Sequence, residues 1–218
     1  MKKVEKLSAV YLPKQPIHKE WVDLLKRFKK YLDWYHEGDD DVAYWYGERA
    51  LSGYLAMAGW DLPDGWSLEE FTGLRKKGKK KSAGRGDLWV GTSKKTFTVE
   101  AKMAWLGGPI DKAIKNIREQ LDVAGKQLDK LDPDYRVDSI PTAVCYAVPN
   151  LNVNPKSKYG TKEHIDDLYT EVERAFSSSR KIVGAFRYKY DPLPYDGRIY
   201  PGVIVVTEFW APWNNKGL

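Results

Sequence analysis

The chain has 218 residues, 42% hydrophobic and 13% aromatic, which suits one packed domain of ordinary size and excludes an intrinsically disordered chain. Its single cysteine, Cys145, excludes an intrachain disulfide framework and a cysteine-built zinc site and points to a reducing compartment. The formal charge of +6 is concentrated, because residues 75–85 carry seven cations and no acid while the rest of the chain is nearly neutral.

The longest aliphatic run, Val203–Val206, is far shorter than the roughly 20 residues of a membrane span. The N-terminus lacks the apolar stretch of a signal peptide, so a cytoplasmic protein with no membrane partner is expected. From His18 to His36, Trp21, Leu24, Leu25, Phe28, Leu32 and Tyr35 recur at helical spacing and predict an amphipathic helix. Asp39–Asp41 are placed to cap a second helix over residues 42–57, with Gly59 as its stop. Residues 60–85, rich in Gly, Pro, Asp and Lys, read as a long connection with a short helical turn started at Ser67–Glu70.

Two strand-like runs follow, Asp87–Val90 and Thr96–Met103, joined as a hairpin by Gly91–Lys95. A long amphipathic helix is predicted from Ile110 to Leu131, then a buried strand over 141–148 with Cys145 as a core residue. A helix over 161–177, strands over 182–190 and 200–209, and a surface segment from Trp210 complete the chain. The whole is read as a single domain: an N-terminal helical extension (1–41), a core (42–148) and a C-terminal helix with strands (149–218).

Side chains two apart on a strand share a face, so Glu100 and Lys102 sit side by side, opposite to Phe97, Val99, Ala101 and Met103. Asp87 shares a face with Trp89 and, depending on register, meets Glu100 and Lys102 across the hairpin. Burying unpaired charge is costly, and a divalent cation between two carboxylates, with a lysine beside it, compensates that charge.

Asp87, twelve intervening residues and then Glu100-Ala101-Lys102 resembles the signature of the PD-(D/E)XK nuclease superfamily. The helical stretch Gly47–Met57, with Glu48, is similar to the family's first helix, and the likeness spans residues 42–148. It implies an α/β, restriction endonuclease-like core of αβββαβ type, with a mixed central β-sheet flanked by helices. The activity implied is that of a Mg²⁺-dependent DNA endonuclease, with Mn²⁺ able to substitute, RNA left open as a substrate, and a homodimer if both strands are cut. By this resemblance Asp87, Glu100 and the Ala101 main-chain carbonyl bind Mg²⁺. Lys102 positions or helps deprotonate the attacking water, Glu48 holds a second ion or a metal-bound water, and the products are a 5′-phosphate and a 3′-hydroxyl. Gly86 stands where the family has a proline. Gln120 matches a glutamine of some exonuclease branches, but Ala124 stands where their tyrosine would be, so no exonuclease branch is assigned.

Arg75, Lys76, Lys77, Lys79, Lys80, Lys81 and Arg85 are the candidate phosphate contacts, with Gly84 and Gly86 allowing close approach of the chain. The same segment supports an alternative, a non-catalytic nucleic-acid-binding protein, and a tryptophan-bearing tail supports a third, an interaction factor. Trp21, Trp45 and Trp89 fall on apolar registers and are expected in the core. Trp66, Trp105, Trp210 and Trp213 are expected in loops, available to stack on bases or meet a second copy. His18, His36 and His164 show no metal-ligand spacing.

Overall fold

The amphipathic pattern after His18 builds helix α1 (Lys19–Asp39), and Trp21, Leu24, Leu25, Phe28 and Leu32 form its buried stripe. The computed structural model describes residues 7–11, 18–39, 41–77, 80–131, 139–152, 157–178, 180–188 and 197–210. Ahead of α1 lies a strand that the sequence does not announce, β1 (Leu7–Tyr11).

The helix expected over 42–57 is divided. A 3₁₀ turn (Ala43–Tyr46) ends at Gly47, whose φ of 93° favours glycine, and α2 runs from Glu48 to Trp60. Asp41 is therefore not the cap of α2. Its carboxylate accepts the Val42 N–H at 2.6 Å and the hydroxyls of Tyr35 and Tyr46 at 2.9 and 2.5 Å. Gly59 does not stop the helix either: a Cβ there would stand 2.5 Å from Val90 Cγ2, so this glycine lets α2 lie against the sheet.

The expected connection over 60–85 is the largest correction. No helical turn forms at Ser67–Glu70; the segment is strand β2 (Trp66–Lys77), paired antiparallel with β3 (Lys80–Gly91) from Trp66↔Gly91 to Lys77↔Lys80, with a break at Glu70. Cross-strand pairing overrides the low intrinsic strand preference of lysine and glycine. Strand β4 (Thr96–Leu106) follows through the expected turn, closed by the Thr92 N–H on the Lys95 carbonyl at 2.8 Å.

Helix α3 (Ile110–Leu128) leads to the buried strand β5 (Ile140–Pro149) and the short β6 (Leu151–Asn152). Then come α4 (Lys162–Phe176), β7 (Lys181–Tyr188), β8 (Arg198–Ile199) and β9 (Gly202–Phe209). The strand expected over 200–209 is β9, and the short β8 just ahead of it pairs with β6 rather than with the main sheet. The main sheet has the order β1-β7-β9-β5-β4-β3-β2. Only β4 and β5 pair in parallel, across α3, so the sheet is mixed and the molecule α/β.

Helices α1 and α2 cover one face over Leu88, Val90, Phe97, Val99, Ala101, Val144 and Tyr146. Helices α3 and α4 cover the other over Ala104, Leu106, Ala143, Cys145 and Ala147, and Cys145 is fully buried. Among the described residues no helix is long and apolar enough to cross a membrane. Trp21 is in the core as expected, with its indole N–H on Thr207 Oγ1 at 2.8 Å. Trp89 is not: it is exposed on β3, edge-on to Trp66. Trp66 and Trp105 lie in strands rather than loops, Trp210 packs on Gly125, and Trp213 falls outside the described residues.

Candidate active site

Strands β3 and β4 pair only from Leu88↔Val99 to Gly91↔Thr96. One step further the ladder would set Asp87 against Glu100, but the pairing has already ended there. That divergence leaves the β4 backbone beyond Val99 without a strand partner on this side, and polar side chains take its place. Asp87 Oδ2 accepts the Ala101 N–H at 2.8 Å. The Ala101 carbonyl accepts from the Lys102 ammonium, and the Met103 backbone hydrogen-bonds the Glu48 carboxylate.

The gap brings together groups from three elements. Lys102 Nζ lies 3.3 Å from Glu48 Oε1, at the start of α2, and 3.6 Å from Asp87 Oδ2 on β3. Side-chain exposure of 18% for Lys102, against 35% and 32% for Glu48 and Asp87, puts the ammonium at the bottom of an open acidic notch. Burial pushes the Glu48 carboxyl above its usual range; Lys102 pulls it back, Asp87 adds to the rise, and the hydrogen bonds from Lys102 and Met103 lower it. Beneath them Tyr146 is wholly buried near the Ser52 hydroxyl at 3.5 Å, and burial drives its phenol up, well away from ionisation.

Glu48, Asp87, the Ala101 carbonyl and Lys102 therefore converge. Glu100 sits one residue before Ala101 and is 1% exposed, so it is a buried carboxylate rather than part of a solvated sheet face. Among the described residues no group of three or more His, Cys, Asp or Glu side chains is arranged to hold a metal ion. What is arranged is an all-oxygen set around an ammonium: two carboxylates and a carbonyl already converge on one positive charge. Hard oxygen donors of this kind fit a Mg²⁺ or Mn²⁺ ion.

The basic segment is the end of the β2–β3 hairpin. Its ladder sets Lys76 opposite Lys81 and Lys77 opposite Lys80, with Arg75 opposite Ser82; Lys79 lies outside the described residues. Because β4 pairs only with Leu88–Gly91, the remaining length of β3 is held in the sheet by β2 alone, as a two-stranded ribbon. Gly86 does not serve close approach to a ligand. A Cβ there would lie 2.3 Å from Phe71 Cζ, so the missing side chain makes room for the buried Phe71 ring.

Two residues beside the notch escape a reading of the sequence. The β2–β3 ladder passes from Glu69↔Leu88 to Phe71↔Gly86 without pairing the residues between them, Glu70 and Asp87, and Glu70 has a φ of 46° that is unusual for a non-glycine residue in a strand. Its carboxylate meets the guanidinium of Arg49, the neighbour of Glu48, and that of Arg85 at 2.8 Å. Recognising the hairpin was the signal needed, since only its register brings Glu70 to Asp87. No protein-family model, curated protein or solved structure matches this chain.

Proposed function

We propose that the protein is a metal-dependent nuclease of the PD-(D/E)XK type, hydrolysing phosphodiester bonds of DNA at the notch between α2, β3 and β4. The observation that carries this reading is the convergence of Glu48 and Asp87 on Lys102 at the edge of β4 left open by β3. The order α2-β2-β3-β4-α3-β5, with β4 and β5 parallel, supports a restriction endonuclease-like core, because it is the αβββαβ arrangement that the motif implies.

Asp87, Glu48 and the Ala101 carbonyl would hold the ion, with Glu100 buried beside them. When bound, the ion supplies Lewis-acid polarisation of the phosphate and a water of lowered pKa. Lys102 Nζ orients the attacking water and offsets the negative charge that grows on the pentavalent phosphorus. Water oxygen bonds to phosphorus as the bond to the 3′ oxygen breaks. The departing electron pair and a proton end on that oxygen, giving a 3′-hydroxyl and a 5′-phosphate.

The test is cleavage of double- and single-stranded DNA and RNA with Mg²⁺ or Mn²⁺ by wild type, Glu48→Gln and Asp87→Asn. Cleavage lowered by at least about 100-fold in Asp87→Asn, a size usual for loss of a positioned group, supports the assignment. Undiminished cleavage in both variants would remove these residues from the site.

The hairpin favours a second reading, a binding protein without catalysis. Like charges directly opposite each other destabilise a strand pair, and Lys76↔Lys81 and Lys77↔Lys80 lie in a stretch with no acid between Glu70 and Asp87, as a polyanion-binding ribbon would have. Salt-sensitive binding that is lost when Lys76, Lys77, Lys80 and Lys81 become Gln, with no cleavage under any metal, would select it.

A further inference from the structure

Beside the acidic notch is a second charged cluster that the proposed chemistry does not use. Arg49 follows Glu48 on α2, and Arg85 shares a face of β3 with Asp87, two residues on. Both guanidinium groups meet one carboxylate, that of Glu70, with which they form ion pairs. The arginine side chains are 84% and 72% exposed, so both reach solvent beside the notch. Two guanidinium groups thus meet at one carboxylate on the rim of a net acidic notch.

Two features set this cluster apart from an ordinary surface ion pair. Glu70 is held at a φ of 46° inside a strand, and such backbone positions persist where the surroundings fix them, often at ligand sites. It also lies where the β2–β3 ladder skips a pair, across from the stretch of β3 that carries Asp87, so the cluster borders the candidate site. An exposed ion pair contributes little to stability and is readily exchanged, whereas a phosphate offers an arginine fork two oxygens at once.

We infer that Arg49 and Arg85 form a clamp for a backbone phosphate of the bound nucleic acid, flanking the scissile one, and that Glu70 occupies the clamp until this phosphate displaces it. The inference rests on the nuclease reading for the identity of the polyanion. Glu70 is then a placeholder: it holds both guanidinium groups together and sets a threshold that weakly held anions do not cross.

The experiment measures binding of a fluorescent DNA duplex, in EDTA and over a range of salt, by wild type, Glu70→Gln, Arg49→Gln/Arg85→Gln and the triple variant. Expected are several-fold tighter binding by Glu70→Gln and weaker binding by the double arginine variant, whose log–log salt slope falls by about one, as for the loss of one phosphate contact. The gain from Glu70→Gln must also vanish in the triple variant, because nothing remains to be released. A gain that persists there is a general effect of removing a negative charge and overturns the clamp, as does unchanged or weaker binding by Glu70→Gln. Thermal unfolding of each variant checks that the fold is retained, and Glu70→Gly, which relaxes the φ at this position, gives a second placeholder-free form.

Metal-dependent cleavage by the same preparations separates the two claims. Cleavage by wild type with no effect of Glu70→Gln on binding leaves the nuclease reading standing and removes the clamp. Absence of both binding and cleavage removes both. Tighter binding by Glu70→Gln, lost in the triple variant and without cleavage under any metal, keeps the clamp and removes the nuclease reading.

Discussion

Asp87 Oδ2 accepts the backbone N–H of Ala101 at 2.8 Å, in the position that a carbonyl of a neighbouring strand would fill. Asp87 therefore has a structural duty in addition to the chemical one proposed for it. Asp87→Ala leaves a buried N–H without that acceptor, at a cost of about 1–3 kcal/mol, whereas Asp87→Asn keeps an oxygen in place. Urea unfolding is expected to show Asp87→Ala clearly less stable than Asp87→Asn, with cleavage lost in both. Equal stability of the two variants would mean that the bond carries no weight.

Lys102 occupies the point where two carboxylates and a carbonyl converge, so it competes with any cation that enters. Lys102→Met removes the competitor and, in the proposed mechanism, the cation that offsets negative charge in the transition state. Calorimetry is expected to show Mn²⁺ affinity retained or increased, while cleavage falls by at least about 100-fold. Loss of Mn²⁺ binding in Lys102→Met would place the ion elsewhere.

The grouping of Asp87 with Lys102 is more legible in the sequence than the fold around it. Strand alternation sets Glu100 and Lys102 on one face whatever surrounds them, and the turn Gly91–Lys95 fixes Asp87 near the same level. Strand β2 was hidden because lysine and glycine mask the alternation of Ser67, Phe71 and Gly73, and its evidence is the long-range ladder with β3. With β2 unseen, Glu70 had no neighbour, and the arginine pair around it could not be read. Strand β1 is five residues at the sheet edge, too short for a periodic signal. The break at Gly47 depends on a positive φ that composition does not reveal.

Gly86 directly precedes Asp87, and its packing explains why a side chain is absent. A Cβ at this position would overlap the Phe71 ring at 2.3 Å. Gly86→Ala is expected to lower unfolding free energy by about 1–3 kcal/mol in denaturant titration, the usual cost of overpacking. The combination with Phe71→Leu should recover part of it. A neutral Gly86→Ala would show that Phe71 moves aside freely.

His18 meets Phe97 and Phe209 edge-on, at ring separations of 5.7 and 4.4 Å, and its Nδ1 lies 3.3 Å from Lys95 Nζ. Burial lowers its pKa below the ordinary 6.5; Lys95 lowers it further and Glu20 partly opposes the shift. The unfolded chain then binds the proton more readily than the folded one. Stability from the neutral ring is complete above about pH 6.5 and declines as pH falls through the lowered native value. Urea midpoints near pH 7 and near pH 5 are expected to differ less in His18→Gln than in wild type; an equal difference would assign the pH effect to other groups.

The decisive measurement is nicking and linearisation of supercoiled plasmid by wild type and Lys102→Ala, each with Mg²⁺, Mn²⁺ or EDTA. Cutting by wild type that requires the metal and disappears in Lys102→Ala is the result expected of a nuclease at this notch. Cutting that survives in Lys102→Ala, or plasmid bound salt-sensitively but left intact by wild type under every metal, would contradict it.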